Sequence, residues 1–178
     1  MEAQLDLAVK LKRNASVHCV QAQANLVSVL QKMQKKYGKE WNGINIDLHS
    51  FGGSAETLRQ LQKPKQSNIY VSLSTTINAR SPKLKGLIQS AAEDKLLAES
   101  DWASPVGSDG KMAEIVEMIA EAKSWTIEET CVYTVHIVLA DLPQCHQTGR
   151  KLEALCKNLA FHFYSLVGNR SFKYATSC

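Results

Sequence analysis

Four short segments of the chain have the apolar pattern of β-strands. Residues 44–50 and 69–74 alternate between apolar and polar side chains, and the runs 15–20 (ASVHCV) and 95–100 (KLLAES) are short and mostly apolar. Alternation with a period of two indicates a half-buried strand, and a short apolar run is typical of a strand buried on both faces. The pattern therefore predicts four strands.

Segments with helical spacing of apolar residues precede the first strand and follow each of the four. The predicted helices cover residues 2–13, 24–38, 54–61, 81–92, 112–124 and 126–136. Ser54, Ser81 and Thr126 are the predicted N-caps, with Pro82 at the first position of its helix. Strands that alternate with helices predict βαβ units and a parallel sheet. Because no G-x-G-x-x-G sequence follows a strand, the pattern favours a (β/α) barrel, or an open sheet of another kind, over a dinucleotide-binding sheet.

Composition restricts the class of protein further. The chain has 178 residues, 44% of them hydrophobic and 21% charged, as in an ordinary globular domain. Its formal net charge of +4 permits an anionic partner without predicting one. The five cysteines are odd in number and include no C-x-x-C pair, which favours a reducing compartment. No signal peptide and no apolar run of membrane-spanning length is evident, so the expectation is a cytoplasmic or nuclear protein without membrane contact.

Potential metal ligands lie at or near the ends of three predicted strands. They are His18, His49 and Asp101, and catalytic groups of (β/α) barrels sit at the carboxyl ends of different strands. Imidazole and carboxylate are the usual ligands of zinc, manganese or magnesium in hydrolases. Taken singly, each histidine could be a hydrogen-bonded core residue and Asp101 a cap of the next segment. Of the three tryptophans, Trp102 alone is placed to border such a site.

Four motifs together resemble a known family. They are LDLAVKLKRNASVHCVQA (5–22), IDLHSFGGSAETLRQL (46–61), YVSLS (70–74) and KLLAESD (95–101). In this order they resemble the C-terminal half of TatD-family metal-dependent deoxyribonucleases, nearest to the fungal branch, over roughly residues 3–137. The family pattern has a histidine after the fifth strand, H-x-F-x-G after the sixth and L-L-x-E-[ST]-D after the eighth.

The resemblance implies a fold and a domain organisation. The expected fold is α/β, the C-terminal half of a (β/α)8 TIM-barrel metal-dependent hydrolase with about four parallel strands. The expected domain covers residues 1–138, and residues 139–178 resemble nothing in the family, so they are expected to form a divergent, partly helical extension.

The resemblance also implies a cofactor and a substrate. Members use two divalent metal ions (Mg, Mn or Zn) and often cleave DNA phosphodiester bonds. By resemblance His18 and His49 would bind one ion, while Asp101 would bind the other and position the attacking water. Glu99 belongs to the same motif, with Trp102 as a neighbour.

Two features of the family pattern have no counterpart in this chain. These are the His-x-His of the first strand and the glutamate that bridges the two metals. The resulting hypothesis is a deoxyribonuclease that is impaired in this chain. The alternative is an inactive protein-interaction module on a remnant hydrolase fold. A protein partner, or a second copy of the chain, would then complete the half-barrel.

Overall fold

The computed structural model describes residues 1–63, 68–104 and 106–140, with side chains as far as residue 134. The predicted extension beyond residue 140 lies outside the described residues. The helices are α1 (Glu2–Leu11), α2 (Gln23–Tyr37), α3 (Ala55–Gln62), α4 (Thr75–Asn78), α5 (Leu84–Ser90), α6 (Ser108–Lys123) and α7 (Ile127–Ala140). The strands are β1 (Ala15–His18), β2 (Ile46–His49), β3 (Ile69–Ser74) and β4 (Leu96–Glu99), and short 3₁₀ turns cover Gly38–Gly43 and Glu93–Lys95.

In the described part of the chain the strands form one four-stranded sheet in the order β1-β2-β3-β4. Every neighbouring pair is parallel. This confirms the predicted βαβ order. Since parallel strands end at the same edge, the side chains that follow β1, β2, β3 and β4 lie at one end of the sheet.

The sheet has one apolar face and one polar face. Leu48 on β2 and Val71 on β3 belong to the apolar face and are almost completely buried together with helix residues such as Leu58 and Ile115. Residues of the opposite parity, such as Asp47, are mostly polar, with Leu97 on β4 as an exception. The alternation read from the sequence therefore separates the core from the surface that carries the candidate site.

Helix caps explain where several helices begin. The Ser54 hydroxyl accepts from the backbone N–H of Thr57 at 3.1 Å, so this predicted cap is confirmed. Thr126 and Glu129 form a reciprocal capping box, with bonds of 2.8 and 3.1 Å between each backbone N–H and the other side chain. The predicted cap at Ser81 is wrong: its hydroxyl accepts from Lys83 two residues on, in a turn, and α5 begins only at Leu84.

Two further elements differ from the predicted pattern. The short helix α4 was not predicted, because its polar sequence TTIN has no apolar period. Helix α6 begins at Ser108, four residues before the predicted start, because its first turn is polar. Among the described residues, no helix combines the length and the apolar character needed to cross a membrane.

Candidate active site

His49 lies between two carboxylates at the carboxyl edge of the sheet. It is the last residue of β2, and its Nδ1 is 2.7 Å from Oε2 of Glu99, the last residue of β4. Its Nε2 is 3.3 Å from Oδ1 of Asp101. Asp101 has a positive φ of 45°, which ends the extended course of the chain after β4. Both acids at the end of the KLLAESD segment thus contact the imidazole of His49.

Both ring nitrogens of His49 face carboxylate oxygens, which only accept hydrogen bonds when ionised. The shorter contact, 2.7 Å from Nδ1 to Glu99, assigns the ring proton of the neutral imidazole to Nδ1. In the neutral ring, Nε2 then presents a lone pair toward Oδ1 of Asp101, and two acceptors face each other at 3.3 Å. A second proton or a cation between them removes the repulsion. An imidazole oriented by a carboxylate on its far nitrogen is also how proteins hold metal-binding histidines.

Ser50 fixes Glu99 in this position. Its backbone N–H and its hydroxyl both donate to Oε1 of Glu99, at 2.7 and 2.6 Å. The same hydroxyl lies 2.9 Å from the Ser74 hydroxyl and 3.3 Å from Oδ2 of Asp101. Ser50 is 4% exposed and Ser74 0%, so the pair forms a buried polar support beneath the two acids. The sequence did not predict a role for either serine, because the register that pairs Ser74 with Glu99 appears only in the folded sheet.

Asn78 holds the loop that follows β2. Its Oδ1 accepts from the backbone N–H of Ser74 at 2.9 Å, and its Nδ2 donates to the carbonyl oxygen of Phe51 at 3.1 Å. The Phe51 ring occupies the place where a Cβ on Gly53 would lie, at 2.2 Å. The ring thus leaves no room for a side chain at Gly53, whereas a Cβ on Gly52 would have nothing within 4 Å.

His18 lies beside His49 on the neighbouring strand. The two residues are register partners, and their ring centroids are 5.7 Å apart with an interplanar angle of 48°. The side chain of His18 is exposed, which excludes its alternative interpretation as a core histidine. Trp102, the other predicted neighbour, is 45% exposed and follows Asp101 directly.

A half-buried acid, Asp47, lies on the same face of the sheet as the histidines. Burial raises the pKa of the Asp47 carboxyl above its usual value, and the hydroxyls of Ser72 and Ser16 oppose this rise. Ser16 donates to Oδ2 of Asp47 at 3.0 Å. Oδ1 of Asp47 and Oγ of Ser72 are buried without a hydrogen-bond partner of good geometry among the described residues. Among the described residues, this face of the sheet therefore contains two polar atoms whose hydrogen-bonding potential is not satisfied.

The donors suit a divalent metal ion in type but not in number. Imidazole and carboxylate are the right ligands. Yet the described residues hold no group of three or more His, Cys, Asp or Glu side chains arranged to bind a metal ion. The structure brings His49, Glu99 and Asp101 into contact and places His18 beside them. Their roles as metal ligands stay a prediction.

Histidines and carboxylates at the carboxyl edge of a parallel sheet built from βα units lie where catalytic groups lie in the class of (β/α)-barrel proteins. The sequence model described as "TatD related DNase" matches residues 1–140, so the chain belongs to this family. The predicted resemblance to its C-terminal half is confirmed only in part. The family match covers residues 1–140 and so extends slightly beyond the predicted range 3–137. The alignments with relatives cover about half of each relative's length, and they do not identify which half of the relative is matched.

Individual relatives agree with the family. The chain is 34% identical to the Cut9-interacting protein scn1 of Schizosaccharomyces pombe, over 72% of this chain and 45% of that protein. It is 30% identical to the uncharacterized metal-dependent hydrolase YabD of Bacillus subtilis, over 74% of this chain and 51% of the relative. The chain thus spans about half the length of these curated relatives. A crystal structure of an uncharacterized amidohydrolase from Saccharomyces cerevisiae shares the fold, with a TM-score of 0.64 and 15% identity over 79% of this chain and 58% of that one.

Proposed function

We propose that the chain takes part in catalysing the metal-dependent hydrolysis of DNA phosphodiester bonds. The observation that carries this proposal is the placement of His49 between Glu99 and Asp101. The ring centroid of His18 lies 5.7 Å from that of His49. In the proposal, His18 and His49 hold one divalent ion, and Asp101 holds a second and orients the attacking water. Glu99 keeps His49 in the correct orientation. Bound Mg²⁺, Mn²⁺ or Zn²⁺ supplies Lewis acidity and lowers the pKa of coordinated water.

The choice of DNA rests on the family rather than on the site. The matched family is described as DNases, and the net charge of +4 is compatible with a polyanionic substrate. A DNA substrate is consistent with a cytoplasmic or nuclear location. The five cysteines, odd in number and without a C-x-x-C pair, indicate no disulfide framework and are consistent with the same location.

Turnover by this chain alone is expected to be weak. Two metal ions need more donors than His18, His49 and Asp101, and the described residues supply no further cluster. In this proposal a second polypeptide, either a protein partner or another copy of the chain, completes the donor set.

Metal content tests the proposal directly. Purified wild-type protein is dialysed against Mn²⁺ or Zn²⁺ and its bound metal is measured by mass spectrometry, beside the double variant His18→Ala/His49→Ala. Arg59→Ala, an exposed change on α3, is the control. About one bound ion, lost in the double variant but kept in the control, supports the proposal, and metal-dependent cleavage of labelled DNA is then expected. A folded wild type that binds no metal overturns it.

A protein-interaction role without catalysis is the second candidate. The half-buried Asp47 carboxylate and the exposed Ser16 that donates to it favour this role, because they give the site face polar groups to which a covering chain can bond. One relative is also named as an interacting protein. This role predicts that His49→Ala leaves the association state unchanged in sedimentation, whereas Asp47→Ala alters it. An association that His49→Ala abolishes and Asp47→Ala spares contradicts this second role.

A further inference from the structure

Trp102 exposes an indole ring at the border of the candidate site. It is 45% exposed, whereas Trp41 is 2% exposed and Trp125 is half-buried against Tyr133, with ring centroids 4.5 Å apart. Burying such a ring recovers a large apolar area. Since Trp102 directly follows Asp101, its ring is one residue from the carboxylate that faces His49.

The exposed ring is held in place. Its Nε1–H donates to the carbonyl oxygen of Val106 at 3.0 Å, so the polar edge of the indole is satisfied within its own loop. The loop is tied to the start of α4 by the Thr76 hydroxyl, which donates to the carbonyl oxygen of Ser100 at 2.6 Å. Stacking of a ligand on this ring therefore costs little conformational entropy, because the Trp102 side chain is already ordered.

A cation flanks the same ring. Nζ of Lys111, in the first turn of α6, is 5.9 Å from the centroid of the Trp102 ring. The Glu114 carboxylate fixes this ammonium group at 2.8 and 3.0 Å. At the outer limit of a cation–π contact, the ammonium lies beside the indole, where an anionic group of a ligand would compete with Glu114 for it.

We infer that Trp102 and Lys111 form a nucleotide subsite, in which a base stacks on the indole and the adjoining phosphate meets the ammonium group. A flat aromatic surface next to a cation is the combination by which proteins bind single-stranded nucleic acid. The inference rests on the proposed function, because it takes the DNA strand to run past Asp101. It assigns to Trp102 the binding of a base and no part in the chemistry.

Binding without turnover tests the subsite. Anisotropy of a fluorescein-labelled single-stranded oligothymidylate is measured in a chelator-containing buffer, so that no metal-dependent cleavage occurs. Trp102→Ala is expected to weaken binding about 5- to 140-fold, the range that corresponds to the loss of one stacked base. Trp102→Phe is expected to restore most of it, and Lys111→Ala is expected to reduce the salt dependence. Leu7→Ala removes an apolar side chain of similar exposure on α1 and should leave binding unchanged.

Each outcome decides the matter. Equal binding by wild type and Trp102→Ala overturns the subsite, as does a folded wild type that binds no oligonucleotide. Protection of Trp102 from acrylamide quenching by self-association alone also overturns it, because the ring is then a protein contact. Binding that depends on Trp102 in a protein without metal or hydrolysis leaves the subsite intact and removes the proposed function. Metal-dependent hydrolysis at the same rate in wild type and Trp102→Ala supports the proposed function and overturns the subsite.

Discussion

Ser50 donates two hydrogen bonds to a single oxygen of Glu99, one from its backbone N–H at 2.7 Å and one from its hydroxyl at 2.6 Å. The other oxygen of that carboxylate faces Nδ1 of His49. The orientation of the histidine is therefore set by the residue that follows it in sequence, acting through an acid two strands away. Ser50 is a positioning residue, since it reaches His49 only through Glu99.

Replacing Ser50 by alanine tests this relay. Ser50→Ala removes the hydroxyl and leaves Oε1 of Glu99 with the backbone bond alone, so unfolding free energy should fall by about 1–3 kcal/mol. If metal binds, its affinity should fall about 10-fold, because groups that orient ligands have effects of this size. Urea unfolding and metal titration measure the two effects. Ser90→Ala, which removes a partly buried hydroxyl bonded to the Leu87 carbonyl oxygen, is the matched control for stability. Equal metal affinity in Ser50→Ala and wild type would contradict the relay.

Two adjacent glycines offer a matched pair of substitutions. A Cβ on Gly53 would lie 2.2 Å from the Phe51 ring, whereas a Cβ on Gly52 would have nothing within 4 Å. Gly53→Ala must displace a ring that is 2% exposed, with an expected loss of about 1–3 kcal/mol. Gly52→Ala should change stability little. Thermal unfolding of both variants checks this, and equal melting temperatures would show that the loop yields without cost.

The order of strands and helices could be predicted because its signal is local. Alternation in 69–74 located β3 at its exact bounds, and the Thr126 cap followed from a sequence spacing that satisfies two backbone donors at once. Helix α5 lies within the predicted range 81–92, but its start was predicted too early, because Ser81 can bond either two or three residues ahead and sequence does not distinguish the two.

The site residues could be named but their contacts could not. His49 ends one strand and Asp101 follows another, and the sequence pattern predicts both strands. The bond from Ser50 to Glu99 spans 49 positions and depends on sheet register, which no local spacing contains. The buried, unpartnered Oδ1 of Asp47 is likewise invisible in a strand that reads as plain alternation.

Leu48 tests whether the apolar face of the sheet carries the stability of the fold. It is 1% exposed and lies between its register partners Val17 and Val71. Leu48→Ala leaves a cavity and should lower unfolding free energy by about 2–5 kcal/mol in urea titrations. Leu11→Ala, at a position 59% exposed, should cost less than about 0.5 kcal/mol. A loss of similar size in both variants would mean that the sheet face is not the core.

Asp101 tests the catalytic half of the proposal without changing side-chain volume. Asp101→Asn removes the negative charge that faces Nε2 of His49, so metal-dependent DNA cleavage should fall by at least about 100-fold, as expected for loss of a metal ligand. Asp109→Asn, an exposed acid at the start of α6, is the matched control and should retain wild-type cleavage. Rates are compared at saturating metal. Retained cleavage in Asp101→Asn would remove this residue from the proposed centre.

The contact between α1 and α2 predicts how stability changes with pH. Hydrogen bonds from Lys36, at 2.7 Å, and Tyr37, at 2.9 Å, lower the pKa of the Asp6 carboxyl below its ordinary 3.8. A carboxyl with a depressed pKa in the folded state stabilises the fold fully above its unfolded pKa and loses this contribution as pH falls through the folded value. The Asp6 bond correspondingly raises the pKa of Lys36 above 10.5, so the contribution of the amine persists below that pH and is lost above it.

Asp6→Asn should therefore lower the melting temperature at pH 7, and its effect should diminish as pH falls below 3.8 and through the lower pKa of the carboxyl in the folded protein. Thermal unfolding between pH 2 and pH 8 measures this difference, and the effect should shrink at high salt because the pair is open to solvent. Lys32, whose amine reaches Glu2 at 2.6 Å between the same helices, offers the matched control. Adding Lys32→Met to both proteins should leave the acid-dependent difference between wild type and Asp6→Asn unchanged. A constant difference from pH 2 to pH 8 would show that Asp6 stabilises the helix contact by packing and not by its charge.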